Sequence, residues 1–325
     1  MKVLCVGKIC LDIINYVDGY PCEDTDQTIP GQRWVQGGNA ANNCVVFNQL
    51  KSIFGEKVID FEFELFGSFG MDLASNYVRD LLKNAHNVEL ARCPIRSMGD
   101  SGGLLSTSCI VVNRLTGSRT IVHAKNDVSD VDFKDFRLAN FNFDQYDWIN
   151  FENRKSEETK QMIEFVLSRR NGPMPIVSVE VEKNKTGSEC LITSGVDYLF
   201  ISKDFARSRQ CTTMQQAVAH LSTLLDINKT SIVCPWGDEG ACLLARGDDH
   251  PITSPAYHTD RAVDTLGAGD TFFASFIFAK GQLKKSDIQA LEFGCLVAGL
   301  KCSMIGYDRL GQAVKEVLEG KGELD

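Results

Sequence analysis

Short apolar runs alternate with longer segments of helical periodicity along most of this chain, and that alternation constrains its fold more than any other feature. Runs at 3–7, 64–66, 148–151, 176–181, 198–201 and 231–234 read as buried strands. Between them, 72–83, 156–169 and 213–225 carry apolar residues at three and four spacing behind the capping side chains Asp72, Ser156 and Thr213. Parallel neighbours need a crossover, and a helix supplies it. The repetition therefore predicts an α/β fold with a doubly wound, mostly parallel sheet flanked by helices on both faces.

Two stretches break the rhythm. Residues 9–35 and 92–124 lack long helical patterns and hold β-type segments at 104–112 and 119–123, joined by the turn Leu115-Thr116-Gly117-Ser118. They are expected to form a small β-sheet lid over one edge of the main sheet, which leaves 1–8, 36–91 and 125–325 as one α/β domain. From Gly267 the pattern turns helical at 268–279, 285–302 and 310–319. No internal repeat or Pro/Gly linker marks off a second autonomous domain.

Charge and cysteine content narrow the partners. Lys plus Arg number 34 against 43 Asp plus Glu, a net charge of −9 that repels polyanions, so a general nucleic-acid binder is excluded while a small phosphate is not. None of the twelve cysteines forms a C-x-x-C pair, and most lie in apolar runs such as those around Cys5, Cys109 and Cys234, where a thiol packs as a small hydrophobe. Cys295 and Cys302, seven apart, share a helix face. These are read as reduced, structural thiols of a cytoplasmic protein. Lys8 and Asp12 interrupt the first apolar run, and no window is long enough to span a membrane, so no membrane contact is expected.

The richest segment for chemistry is Asp264-Thr265-Leu266-Gly267-Ala268-Gly269-Asp270-Thr271-Phe272. Two glycines let the backbone turn tightly before an apolar helix, so successive N–H groups converge on one point that favours an anion. Asp270 falls in the first helical turn, where a carboxylate suits the dipole and can also take a proton from a hydroxyl beside the anion. Taken alone, such a turn is also an ordinary capping solution. A second element, Gly37-Gly38-Asn39-Ala40-Ala41-Asn42-Asn43, places Asn39 and Asn42 on one helix face as amide donors and acceptors for hydroxyls; its plainer reading is a helix start after a Gly turn. Asp12 and Asp24 add carboxylates able to accept from a polyol, or serve as strand-end and turn residues. No G-x-x-x-x-G-K-[ST] occurs, and Phe272 stands where a dinucleotide fingerprint needs its third glycine. The five histidines show no metal-binding spacing. Trp148 and the cluster Phe272, Phe273, Phe276 and Phe278 read as core.

Asp-Thr-Leu-Gly-Ala-Gly-Asp-Thr-Phe near the C-terminus, with Gly-Gly-Asn-x-x-Asn near the N-terminus, resembles the ribokinase-like, PfkB-type sugar kinases. Supporting stretches at 4–7, 32–34, 117–121, 177–183, 202–204, 293–295 and 297–299 run in family order. The resemblance implies a ribokinase-like fold and ATP-dependent phosphorylation of a sugar, most nearly in the branch acting on ketohexoses, D-fructose to fructose 1-phosphate. It implies Asp270 as general base and Gly267, Ala268 and Gly269 as the anion hole. Asp12, Asp24, Gly38, Asn39 and Asn42 match sugar-contacting positions, with Asp24 reaching the site of a second copy in a homodimer paired through the lids. Arg119 matches a lid arginine on the ATP phosphates, and Gly237, Asp238, Glu239 and Gly240 match the loop beside the nucleotide. Magnesium would come with ATP, and potassium is implied as a further cation.

Three departures stand out. Ser202-Lys203-Asp204 replaces the Asn-x-x-Glu motif of many relatives, leaving Lys203 as a phosphate contact or a solvated strand-end lysine. The segment 51–64 is longer than the family connection and is expected to be an exposed loop or an extended hairpin. His123-Ala124-Lys125-Asn126 differs from the aromatic-rich lid ending of the ketohexose branch. Two rivals stay open: a ribokinase-like kinase for ribose, another ketose or a nucleoside, and a catalytically silent sugar binder.

Overall fold

The computed structural model describes residues 1–97, 103–124, 128–259 and 262–322, so Lys125 and Asn126 of the lid ending lie outside the described residues. Strands β1 (Lys2–Val6), β2 (Cys10–Val17), β3 (Gly31–Gly37) and β4 (Glu62–Phe66) are followed by β5 (Thr107–Asn113), β6 (Arg119–Ala124), β7 (Trp148–Glu152) and β8 (Ile176–Val181). β9 (Tyr198–Ile201), β10 (Ser231–Pro235), β11 (Ala241–Leu244) and β12 (Ile252–Ser254) complete them. The main sheet has the order β12-β11-β10-β9-β8-β7-β1-β4, parallel from β10 to β4, with β11 and β12 antiparallel at one edge.

Alternation along β1 decides which helices cover which face. Val3 and Cys5 point into a core shared with α1 (Asn39–Phe54), α2 (Leu73–Asp80) and three helices from the C-terminal part, whereas Leu4 and Val6 point into the opposite core. That second core is built on α3 (Phe133–Leu138), α4 (Ser156–Leu167), α5 (Glu189–Ile192), α6 (Lys203–Ser208) and α7 (Met214–Ser222). The C-terminal helices are α8 (Ala268–Ile277), α9 (Asp287–Cys302) and α10 (Leu310–Lys321). Phe272, Phe273, Phe276, Phe278 and Trp148 are all buried, as the sequence predicts. Asp72 and Thr213 cap their helices through Ser75 N and Gln216 N, but Lys155 precedes α4 without a side-chain bond. Ser156 is itself the first helical residue, one position past the cap, and its hydroxyl donates to Asn153 Oδ1 at 3.0 Å.

The segment 51–64 is neither an exposed loop nor a hairpin. Lys51 to Phe54 finish α1, Gly55–Val58 form a 3-10 turn and β4 begins at Glu62. Phe54 keeps the helix going by packing against Phe278 and Phe293, with ring centroids 5.5 and 6.5 Å away, while Lys51 Nζ donates to Phe61 O at 2.6 Å.

A separate four-stranded sheet of order β3-β2-β5-β6 is formed by the two stretches that break the α/β rhythm. Its inner face packs Ile14, Ile110 and Val112 with Leu266 of the anion-turn segment. On its outer face Trp34, Ile13, Cys109 and Val122 line up in register across all four strands, and Trp34 is 45% and Val122 61% exposed. All twelve cysteines are free thiols, but Cys109, expected in the core, is exposed because it falls on the outer face of this sheet.

Candidate active site

Parallel strands deliver their C-terminal ends to one edge of a sheet, where the helices that follow them begin, and that edge is where such folds bind small molecules. Here β1, β7 and β8 end beside the starts of α1 and α8. The α8 start is Gly267, with φ at 73°, and a Cβ on it would run into the Tyr307 hydroxyl and lie 3.0 Å from Tyr307 Cζ. Nothing lies within 4 Å of a Cβ placed on Gly269, so the turn is open on that side. The first N–H groups of α8 have no acceptor within the helix, and apart from Ala268 N, which reaches Thr265 O at 3.3 Å, they are placed to suit an anion.

Asp270, in the first turn, accepts from Asn42 Nδ2 at 2.7 Å. Asp270 is half-buried as a residue. Its pKa is pushed up to about 7, first by burial and then by the charges of Glu182, Glu152 and Asp12, against the pull of Asn42. A carboxylate poised there is matched to general-base work near neutral pH.

Asn39 sits one turn before Asn42 and reaches Glu182 Oε2 at 3.5 Å. Gly38, with φ at 100°, starts α1 so close to the β1–β2 connection that a Cβ would overlap Lys8 O. Asp12 faces inward from β2 and is 8% exposed; burial raises its pKa, while Ser108 and Cys10 lower it. Asp12, Asn42, Asp264, Leu266, Lys301 and Tyr307 line one pocket between the small sheet and α1. Arg119, at the start of β6, donates to the hydroxyl of Thr265 and so touches the segment leading into the anion turn.

Gly237–Glu239 form a short 3-10 turn closed by Gly240, with φ at 71° for Gly237 and 100° for Gly240. Lys203 Nζ donates to Trp236 O at 3.2 Å and lies 3.7 and 3.9 Å from Glu239 and Asp238, so it is tied to this turn and is not a solvated strand-end residue. Asp24 does not join the group. It is exposed between β2 and β3, in a left-handed conformation with φ at 59°.

Four functional candidates escaped the sequence reading. Glu180 is 1% exposed, and one of its oxygens accepts from Asn43 Nδ2 at 2.6 Å and Asn150 Nδ2 at 2.7 Å. Burial and the nearby Asp270 charge push its pKa up to about 8. Glu152 accepts from the N–H of Lys8 at 2.9 Å and of Ala40 at 3.3 Å, pinning the β1 end to the α1 start. Lys301 pairs with Asp264, and Tyr307 backs Gly267. For Glu180 and Glu152 the available signal was a single charge in a short, mostly apolar strand; Lys301, one of several charges in α9, and Tyr307, between α9 and α10, carried no such signal.

An open helix start suited to an anion, beside a carboxylate raised to about 7 and a polar pocket, has the parts a phosphoryl-transfer enzyme of the α/β class requires. Comparison with known proteins narrows this. The pfkB family of carbohydrate kinases matches residues 1–309. Ketohexokinase of Mus musculus is 36% identical over 315 residues, covering 94% of this chain and 98% of that protein. Among solved structures, the ribokinase of Giardia lamblia superposes with a TM-score of 0.78 at 15% identity, covering 98% and 99% of the two chains. The Arabidopsis thaliana ribokinase complexed with ribose and ATP gives 0.70 at 20%, covering 98% of each. At such identities the structural likeness establishes the ribokinase-like fold. The chain belongs to the pfkB family of carbohydrate kinases and is a sugar phosphotransferase.

Proposed function

We propose that this enzyme transfers the γ-phosphoryl group of MgATP to the first-carbon hydroxyl of D-fructose, giving fructose 1-phosphate and ADP. The observation that carries the transfer chemistry is Asp270 at the α8 start, raised to about 7 and hydrogen-bonded by Asn42. The similarity to a ketohexokinase supports the ketose.

In this reading Asp12, Gly38, Asn39 and Asn42 seat the sugar so that its reacting hydroxyl meets Asp270. Asn42 holds one carboxylate oxygen, orienting the other to take the hydroxyl proton as the oxygen attacks phosphorus. The bond from phosphorus to the β–γ bridging oxygen breaks, and ADP leaves with that electron pair. Phosphoryl transfer through a loose transition state asks chiefly for positioning and charge stabilisation. Gly267, Ala268 and Gly269 supply fixed N–H dipoles for it, with Arg119 on the phosphates and the Gly237–Gly240 turn beside the nucleotide. Magnesium would arrive with the nucleotide, held largely by its phosphates and by water. Potassium activation is proposed on the family resemblance alone and is read as the ratio of rates in potassium and sodium chloride.

An ADP-release assay over fructose, tagatose, xylulose, ribose and adenosine tests the assignment. Fructose is expected to give the highest kcat/KM. Equal or faster turnover of ribose or adenosine rejects the ketose, and a fructose-induced rise in melting temperature without ADP formation rejects catalysis.

We also propose a cytoplasmic homodimer paired through the small sheets, with 9–35 and 92–124 acting as the clasp and Asp24 completing the site of the other copy. The row Trp34, Ile13, Cys109 and Val122 supports this, as does the exposure of Asp24. Among the described residues no helix is long and apolar enough to cross a membrane. Val122→Asp would bury an unpaired charge, a change worth about 3 kcal/mol or more, or roughly a hundredfold in dimer Kd. Sedimentation should then show monomer, and KM for fructose should rise. An unchanged dimer would reject this face.

A further inference from the structure

We infer that Lys301, near the end of α9, is a positioning residue for the transfer step: its buried ammonium fixes the segment before Gly267 and thereby aims the anion turn. This rests on the reading of Gly267–Gly269 as the anion seat. Lys301 is 0% exposed. Its Nζ donates to the carbonyl of Asp264 at 3.0 Å and to Asp264 Oδ2 at 2.6 Å. The same carboxylate accepts from Leu266 N at 2.9 Å through Oδ1 and from Gly306 N at 3.1 Å through Oδ2. One residue further along α9, the carbonyl of Cys302 accepts from Val263 N at 2.7 Å and Asp264 N at 3.1 Å. The backbone from Val263 to Leu266 is thus stapled to the end of α9 from both edges, and the next residue is Gly267.

The side chain of Tyr307 extends the same device. Its ring centroid lies 5.5 Å from Lys301 Nζ, and its hydroxyl stands where a Cβ on Gly267 would go. Movement at Lys301 is therefore transmitted to the turn by backbone bonds and by a ring in contact with it. Burial pulls the Lys301 pKa down while Asp264 pulls it back up. A buried ion pair rarely adds net stability over apolar residues of similar volume, so packing alone does not account for it. What the pair adds is geometry: an ammonium can satisfy a carboxylate and a carbonyl of one residue at once, and a methionine can satisfy neither.

The test uses the full chain and the sugar it turns over fastest. Asp264→Asn with Lys301→Met removes both charges together, so neither is left buried alone. Losing the aim of one anion-hole donor costs about 10²- to 10³-fold in kcat, and we expect a fall of that size with KM for the sugar within about threefold and a cooperative melt retained. In Lys301→Ala the vacated space keeps a carboxylate and a carbonyl, so added ammonium chloride should restore kcat at least tenfold, relative to wild type in the same salt, where sodium chloride does not. A double variant whose kcat stays within threefold overturns the proposal, as does a loss explained by the unfolded fraction or a folded Lys301→Ala that ammonium leaves unchanged. Wild-type enzyme with no sugar-dependent ADP release, indistinguishable from Asp270→Asn, rejects the functional reading and this proposal with it.

Discussion

Asp270→Asn should abolish most of the turnover while both substrates still bind. A positioned base contributes about 10²- to 10⁴-fold, and the amide keeps the size of the carboxylate without its proton affinity. Fructose and MgATP should each still raise the melting temperature; turnover within tenfold of wild type would remove Asp270 from the base role. The same group sets two pH dependences of opposite sense. Only the ionised carboxylate takes a proton, so kcat/KM should climb with pH through about 7 and then level off. Stability runs the other way. The folded pKa lies above the unfolded value of about 3.9, so between these pH values the folded state binds the proton more tightly and loses stability as pH rises. Asparagine lacks this liability, so the variant should melt higher than wild type at about pH 8, the gap closing toward about pH 4. Glu180, raised to about 8 beside it, titrates with Asp270 as a pair, so the apparent midpoints belong to both. A variant that melts lower than wild type at alkaline pH would contradict the buried-charge account.

Asp270 was legible as a candidate because the pattern that marks it out is local, although the groups that tune it are not. The glycines, the helix start and the carboxylate lie within a few residues of one another. The strands were legible for the same reason, since period and apolar content are short-range properties. Glu180 and Glu152 were not, because each is one charge in an apolar strand, and only the parallel register of β1, β7 and β8 brings their ends to Asp270. Asn43 and Asn150 likewise meet Glu180 from a helix and a strand far apart in sequence. The end of α1 was misjudged because 51–64 is longer than the family connection and was expected to be a loop or hairpin, while Phe54 is held helical by Phe278 and Phe293 from the other end of the chain. Local sequence specified elements and the turn, and long-range packing specified what surrounds them.

Gly38→Ala should disable the sugar side of the site as thoroughly as Asp270→Asn disables the chemistry. At φ of 100° any side chain is strained, at about 1 to 3 kcal/mol. The greater cost is contact: the new Cβ overlaps Lys8 O and falls 2.8 Å from Lys8 C. These are backbone atoms, and the adjoining peptide is held by Lys8 N donating to the buried Glu152 at 2.9 Å. Since Lys8 cannot retreat cheaply, the start of α1 must move, and the first bond of that helix, Asn42 N to Gly38 O at 2.9 Å, moves with it. Asn39 and Asn42 then leave the sugar, and Asp270 loses the amide that orients it. We expect a stability loss on the order of 3 kcal/mol or more and a fall in kcat/KM for fructose of roughly a hundredfold, about 2.7 kcal/mol of transition-state binding. Gly55→Ala separates strain from contact, because Gly55 also has positive φ, at 51°, but nothing lies within 4 Å of its Cβ position. Its expected cost is about 1 kcal/mol, with activity unchanged. Equal penalties at the two glycines would mean that backbone strain, and not the close approach of Lys8, is what position 38 requires.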